Sequence, residues 1–197
     1  MGSNISSEIH IALCIDDNYL PYCCCTIESV ISNNNAGNKI IFYLIHFPNI
    51  KGIELIIEHI NKSGHQVVDI DVSESRICNF QTHHHFTSSV YLRLLLPNIL
   101  PGNIERVLYL DSDLIVIADL TNLFNINLGD FSTAMAPEFS IDLDKSRRYD
   151  FNSGVMLMDL KSWRSNDLSK KVMDYIESYD GRLWCVDQSA INATLWE

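Results

Sequence analysis

Blocks of apolar residues alternate with polar breaks along the front of the chain, and block length separates strands from helices. Ile9 to Ile15 is apolar except at His10 and predicts a short buried strand, which runs straight into Asp16-Asp17-Asn18. Pro21 suits the first turn of a helix extending to about Ser32, until Asn33-Asn34-Asn35-Ala36-Gly37 stops it. Lys39 to His46 (KIIFYLIH) is continuous and rich in β-branched and aromatic residues, the pattern of a central strand. Ile53 to Lys62 carries apolar residues at helical spacing and ends at Ser63-Gly64, and Gln66 to Val72 predicts a third strand.

Beyond a polar loop, Ser88 to Leu96 predicts a helix closed by Pro97. Arg106 to Leu110 predicts a fourth strand that delivers Asp111-Ser112-Asp113, after which Ile115 and Val116 resume an extended apolar stretch. Thr133 to Ala136 and Gly154 to Asp159 predict two further strands, separated by the polar segment Ile141 to Asp150. Helices are expected near Ser169 to Tyr179 and over Val186 to Leu195.

Alternating strands and helices imply right-handed crossovers and a parallel sheet. The last two strands have no long helix between them, which predicts a mixed end to that sheet. The expected class is α/β, a mostly parallel central sheet with helices on both faces. At 197 residues, one domain over 1–197 is the leading expectation and two small domains the alternative.

Net charge narrows the partners. At −11, the chain repels nucleic acid phosphates and anionic lipid. An acidic protein that binds an anionic substrate needs local positive charge, which a divalent cation can supply. No apolar stretch approaches the roughly 20 residues of a transmembrane helix, and no secretory signal is visible. Of the six cysteines, Cys23, Cys24 and Cys25 are consecutive and none forms a CxxC pair, so buried thiols in a reducing cytosol are expected.

Two acidic clusters fall at the carboxyl ends of predicted strands, where open parallel sheets bind ligands: Asp16-Asp17 and Asp111-Ser112-Asp113. The second follows the buried run Val107 to Leu110, so a turn there can aim both carboxylates at one ion. Hard oxygen ligands suit Mg²⁺ or Mn²⁺, which also bind diphosphate. A bare Asp-x-Asp also occurs in solvated acidic turns.

Six segments in order resemble glycosyltransferase family 8, which includes bacterial lipopolysaccharide galactosyl- and glucosyltransferases and the self-glucosylating glycogenins. They are Cys14 to Tyr19, Ser89 to Leu94, Val107 to Asp113, Phe151 to Val155, Leu160 to Arg164, and Asp187 to Asn192. The resemblance implies a Rossmann-like nucleotide-diphospho-sugar transferase fold of the GT-A type. It also implies retaining transfer of glucose or galactose from UDP-glucose or UDP-galactose to a saccharide or glycolipid acceptor.

Residue by residue, the resemblance implies that Asp16 meets the uracil, Asn18 the ribose or phosphates, and the backbone at Cys14 and Ile15 the base. Asp16 also suits a helix start. Arg93 matches an arginine near the donor sugar and diphosphate. Asp111 and Asp113, with Ser112 between them, match the ligands of Mn²⁺ or Mg²⁺. Asn152 matches a donor-sugar contact, and Gly154 permits close backbone approach or marks a β-bulge. Asp187 and Gln188 match the positions nearest the anomeric carbon, where a front-face attack or a double displacement through Gln188 are the alternatives. Asp187 also suits the N-cap of the last helix. Ser189 stands where many members carry a second acid.

Family members continue into a segment resembling His-x-x-Gly-x-x-Lys-Pro-Trp that supplies a third metal ligand. This chain ends at Trp196-Glu197, and its last histidine is His85. The leading expectation is a truncated domain with an intact fold, weak metal affinity and poor catalysis, and a naturally shortened relative with weak or no turnover is the alternative. His83, His84 and His85 are a poor chelating set because side chains alternate along an extended loop, although His85 stands close enough to Arg93 in sequence to line the sugar site. Trp163 and Trp196 are expected in the core, and Ile141 to Asp150, with Lys145, Arg147 and Arg148, as a lid or a solvated loop.

Two other readings compete. A non-catalytic sugar-nucleotide-binding domain fits the missing tail. An Asp-x-Asp phosphatase ranks lower, because three predicted strands precede the motif and no matching acidic pair follows. A lipid-linked acceptor would place the cytoplasmic protein at the inner membrane face.

Overall fold

The computed structural model describes residues 8–72, 91–138, 151–179 and 186–195. Strand β1 (Glu8–Ile15), helix α1 (Leu20–Ser32), β2 (Lys39–His46), α2 (Ile53–Lys62) and β3 (Gln66–Asp71) come first. Helix α3 (Leu92–Ile99), β4 (Arg106–Leu110), α4 (Thr121–Phe124), β5 (Thr133–Pro137) and β6 (Phe151–Asp159) follow. Three helices close the described chain: α5 (Leu160–Ser165), α6 (Leu168–Ser178) and α7 (Val186–Leu195).

The sheet has six strands in the order β3-β2-β1-β4-β6-β5. Strands β1 to β4 run parallel, and β6 is antiparallel to both β4 and β5, giving the mixed end that the sequence predicts. Alternation along β1 feeds two cores. Ile9, Ile11, Leu13 and Ile15 pack with α1 and α2, whereas Ala12 and Cys14 face the side covered by α3, α5, α6 and α7. Helices on both faces explain why the front strands read as unbroken apolar runs. The first crossovers lead outward from β1 to β3, and the next returns to β4 on the other side of β1. The carboxyl ends of β1 and β4 therefore flank a topological switch point, where open α/β sheets bind ligands.

Several expectations shift. Pro97 lies inside α3, which continues to Ile99. The Arg164 guanidinium donates to the carbonyls of Pro97, Leu100, Pro101, Gly102 and Ile104, so tertiary contacts carry the helix past its proline. The stretch after Asp113 pairs with no described strand, and Ile115 and Ile117 are exposed; its backbone bonds to side chains of α1. Strand β6 begins at Phe151, ahead of Gly154. The short helices α4 and α5 escape apolar periodicity, although Asp159 caps α5 by accepting from the Ser162 N–H at 2.9 Å.

The buried-thiol expectation holds for Cys14 and Cys23 but not for Cys24 and Cys25, which are free and exposed. Successive helical residues turn about 100°, so only one thiol of the three on α1 can face the sheet. Trp163 is a core residue, its Nε1–H donating to Thr133 Oγ1 at 2.8 Å. The expectations for His83 to His85, Lys145, Arg147, Arg148 and Trp196 lie outside the described residues.

Candidate active site

Arg93 lies in the first turn of α3 with its side chain directed at the end of β4, and it is 8% exposed. Its Nη2 stands 3.0 Å from Asp111 Oδ1 and its Nε 3.0 Å from Asp187 Oδ2. Its Nη1 donates to the Ser153 carbonyl at 2.9 Å and Oγ at 3.3 Å. The guanidinium carbon lies 4.6 Å from the centre of the Tyr109 ring, whose hydroxyl donates to Asp111 Oδ1 at 2.7 Å. A planar fork of donors suits this many-sided arrangement. Burial works against the Arg93 charge, but Tyr109, Asp187 and Asp111 outweigh it and raise the pKa above its ordinary value.

Asp187 comes from the first turn of α7 and is 7% exposed. Burial raises its pKa, with Arg93 and the backbone N–H groups of Gln188 and Asp187 opposing. No aligned hydrogen-bond donor reaches its Oδ2 among the described residues, so the Arg93 contact is an ion pair without hydrogen-bond geometry. Since α7 begins at Val186, Asp187 is a first-turn acid rather than the N-cap. Cys14 lies beneath the same cluster, its thiol pushed up to about 12 by burial.

The end of β4 is locked onto β6. The Asp111 N–H donates to the Gly154 carbonyl at 2.8 Å, and a Cβ on Gly154 would stand 2.6 Å from Asp111 Oδ2. Any larger residue there would force the Asp111 carboxylate to shift. Gly154 also sits where the β5–β6 register shifts, so close approach and bulge coincide. Asn152 Oδ1 accepts from the Gly154 N–H at 2.9 Å. Ser112 is buried, and Asp113 is exposed with no hydrogen bond or ion pair to the described residues.

At the end of β1, Ile15 is buried and Asp16 Oδ1 accepts from the backbone N–H groups of Asn18 and Tyr19 at 2.9 and 3.1 Å. Asp16 thus shapes the turn into α1, and the expected contact with a base is compatible with that. Asn18 and Tyr19 are exposed beside it.

Gln188 is clamped. Its Oε1 accepts from the Ser153 N–H at 3.1 Å, and its Nε2 donates to Glu138 just after β5. Asn192 Oδ1 accepts from the Phe151 N–H at 2.7 Å while its Nδ2 donates to the Phe151 carbonyl at 2.8 Å. Sequence reasoning gave no role to Glu138, Ser153 or Tyr109. A lone glutamate after a strand and a tyrosine within an apolar run carry no local signal of a site.

Arg93, Asp111, Asp187 and Gln188 are thus brought together around Ser153 and Gly154. Asp16 and Asn18 occupy the neighbouring strand end. Asp111 and Asp113 offer the hard oxygens that a divalent cation takes, leaving coordination positions for phosphate and water. No group of three metal-ligating side chains occurs among the described residues.

The sequence profile of glycosyl transferase family 8 matches residues 10–197. The chain belongs to glycosyltransferase family 8. General stress protein A of Bacillus subtilis is 26% identical, covering 96% of this chain and 70% of its own length. Lipopolysaccharide 1,2-glucosyltransferase of Escherichia coli is 24% identical, covering 98% of this chain and 60% of its own length. A crystal structure of the galactosyltransferase LgtC in complex with donor and acceptor sugar analogs matches with a TM-score of 0.77 at 27% identity, covering 95% of this chain and 70% of that one. The fold of this family 8 chain is therefore of the GT-A type, and its reaction class is glycosyl transfer. No helix among the described residues is long and apolar enough to cross a membrane.

Proposed function

We propose that the chain moves a hexose, glucose or galactose, from a UDP-sugar to a saccharide or glycolipid acceptor with retention of configuration. The observation that carries this reading is the buried Arg93, held by Asp111, Asp187 and Ser153 at the switch point between β1 and β4. On this reading Asp16, Asn18 and the backbone at Cys14 and Ile15 receive the nucleoside. Asp111 and Asp113 hold Mn²⁺ or Mg²⁺, which supplies positive charge against the departing diphosphate. Arg93 is already engaged by protein groups, so its part is to fix Asp111 and Asp187 in place. Asn152 and Asp187 line the donor sugar.

The clamp on Gln188 favours front-face transfer. For a double displacement its Oε1 would have to leave the Ser153 N–H. In the front-face route the acceptor hydroxyl oxygen bonds to the anomeric carbon as the bond to the diphosphate breaks. The hydroxyl proton passes to the leaving phosphate oxygen, giving the glycoside and UDP. A UDP-sugar-binding domain without turnover is the second reading, favoured by the small donor set of Asp111 and Asp113 among the described residues.

Calorimetric titration of UDP, with and without Mn²⁺, tests the donor site on the wild type and Asp113→Ala. Asp113 is preferred to Asp111, whose loss would strip Arg93 and Tyr109 of a shared partner. Mn²⁺-dependent binding that weakens by about tenfold or more in the variant is expected, the scale of one charged contact. A folded chain that binds no UDP, or binds it regardless of Mn²⁺ and Asp113, overturns the reading. Metal-dependent release of UDP from a UDP-sugar separates the enzyme from the binding domain.

A further inference from the structure

Thr26, Ser29 and Asn33 stand at helical spacing along α1 and its cap, so they share one side of the helix. Spacing alone would assign that side to solvent. Instead it meets the backbone that leaves β4. Thr26 is 0% exposed. Its hydroxyl proton is shared between the carbonyls of Ser112 at 3.0 Å and Leu114 at 2.8 Å, and its oxygen accepts from the Leu114 N–H at 3.0 Å. Ser29 Oγ accepts from the Val116 N–H at 2.9 Å, and Asn33 Nδ2 donates to the Val116 carbonyl at 3.0 Å. The helix thus supplies through side chains the bonds that a neighbouring strand would have made.

We propose that Thr26 is a positioning residue for the donor site, setting the backbone on both sides of Asp113 and so fixing where that exposed carboxylate stands. This rests on the reading of Asp113 as a donor-site ligand. Asp113 has no side-chain partner among the described residues, so its placement depends on the turn that carries it. Backbone groups at the buried Ser112 and the partly buried Leu114 need partners, and Thr26 provides them from 86 and 88 residues away. Ser29 and Asn33 anchor the next residues but stand farther from Asp113.

The test compares wild type, Thr26→Val and Thr26→Ser. Valine keeps the shape and removes the hydroxyl, whereas serine keeps the hydroxyl. Amide hydrogen exchange in the ligand-free protein is expected to accelerate at Leu114 in the valine variant, with the β1 amides unchanged. Mn²⁺-dependent UDP affinity is expected to fall about tenfold in that variant, the scale of one to two net hydrogen bonds. Serine should restore both readouts. Unchanged exchange and affinity in the valine variant overturn the proposal, as does acceleration spread equally over the sheet, the mark of a general structural role. A wild-type chain that binds no UDP would sink the donor reading; exchange at Leu114, local and rescued by serine or not, then decides the positioning role. Should the valine variant fail to fold, Thr26→Ala is read by the same measurements.

Discussion

Each polar group in the cluster is held by opposing forces, and Asp187 shows the balance most clearly. Its carboxyl is buried, which favours the protonated form, while Arg93 favours the charged one; burial wins, and the pKa rises above its ordinary 3.8. Between that value and the raised one, the folded protein holds a proton that the unfolded chain has lost. The contribution of Asp187 to stability is therefore complete below its ordinary pKa and is lost as pH rises through the folded value. Urea unfolding of wild type and Asp187→Asn from pH 4 upward should show the wild-type advantage shrinking as pH rises, then levelling off. Parallel curves would mean that Arg93 keeps the carboxylate ionised throughout. The expectation of a site at this aspartate came from its motif, but its burial was not legible, because a charged residue near a helix start reads locally as a solvated cap.

Arg164 does for α3 what no residue of α3 can do for itself. A proline in a helix removes a donor, and the helix end leaves carbonyls without partners. The guanidinium, arriving from α5, answers the carbonyls of Pro97, Leu100, Pro101, Gly102 and Ile104. Arg164→Met keeps the apolar stem and removes the donors. It should lower unfolding stability by about 1.5–3 kcal/mol, the scale of a hydrogen bond to a charged group. Denaturant unfolding checks this; a loss within a few tenths would show that water replaces the guanidinium. Local rules placed the end of α3 at Pro97 because they weigh the proline and not a partner 67 residues away. They succeed for Lys39–His46, Ile53–Lys62, Arg106–Leu110 and Val186–Leu195, where the local apolar pattern and the observed elements agree.

Across the whole molecule, two cores divided by one sheet decide which groups solvent can reach. Cys14 and Cys23 are enclosed, whereas Cys24 and Cys25 are open on the outer side of α1. Treating the native protein with iodoacetamide at pH 8 should alkylate Cys24 and Cys25, leaving Cys14 and Cys23 until denaturant is added. Mapping the labelled peptides checks this, and early labelling of Cys14 would mean that the core beneath Arg93 opens. By itself the sequence determined the order of the strands and the longer helices, the mixed end of the sheet and the acidic clusters at strand ends. Those features follow from side-chain periodicity within a few residues. Only the tertiary structure decided that Arg93 is enclosed by Asp111, Asp187 and Ser153, that Glu138 meets Gln188, and that Thr26 turns inward. These pairings join residues far apart in the chain, and a polar side chain reads as solvent-facing until folding brings its partner and removes the water.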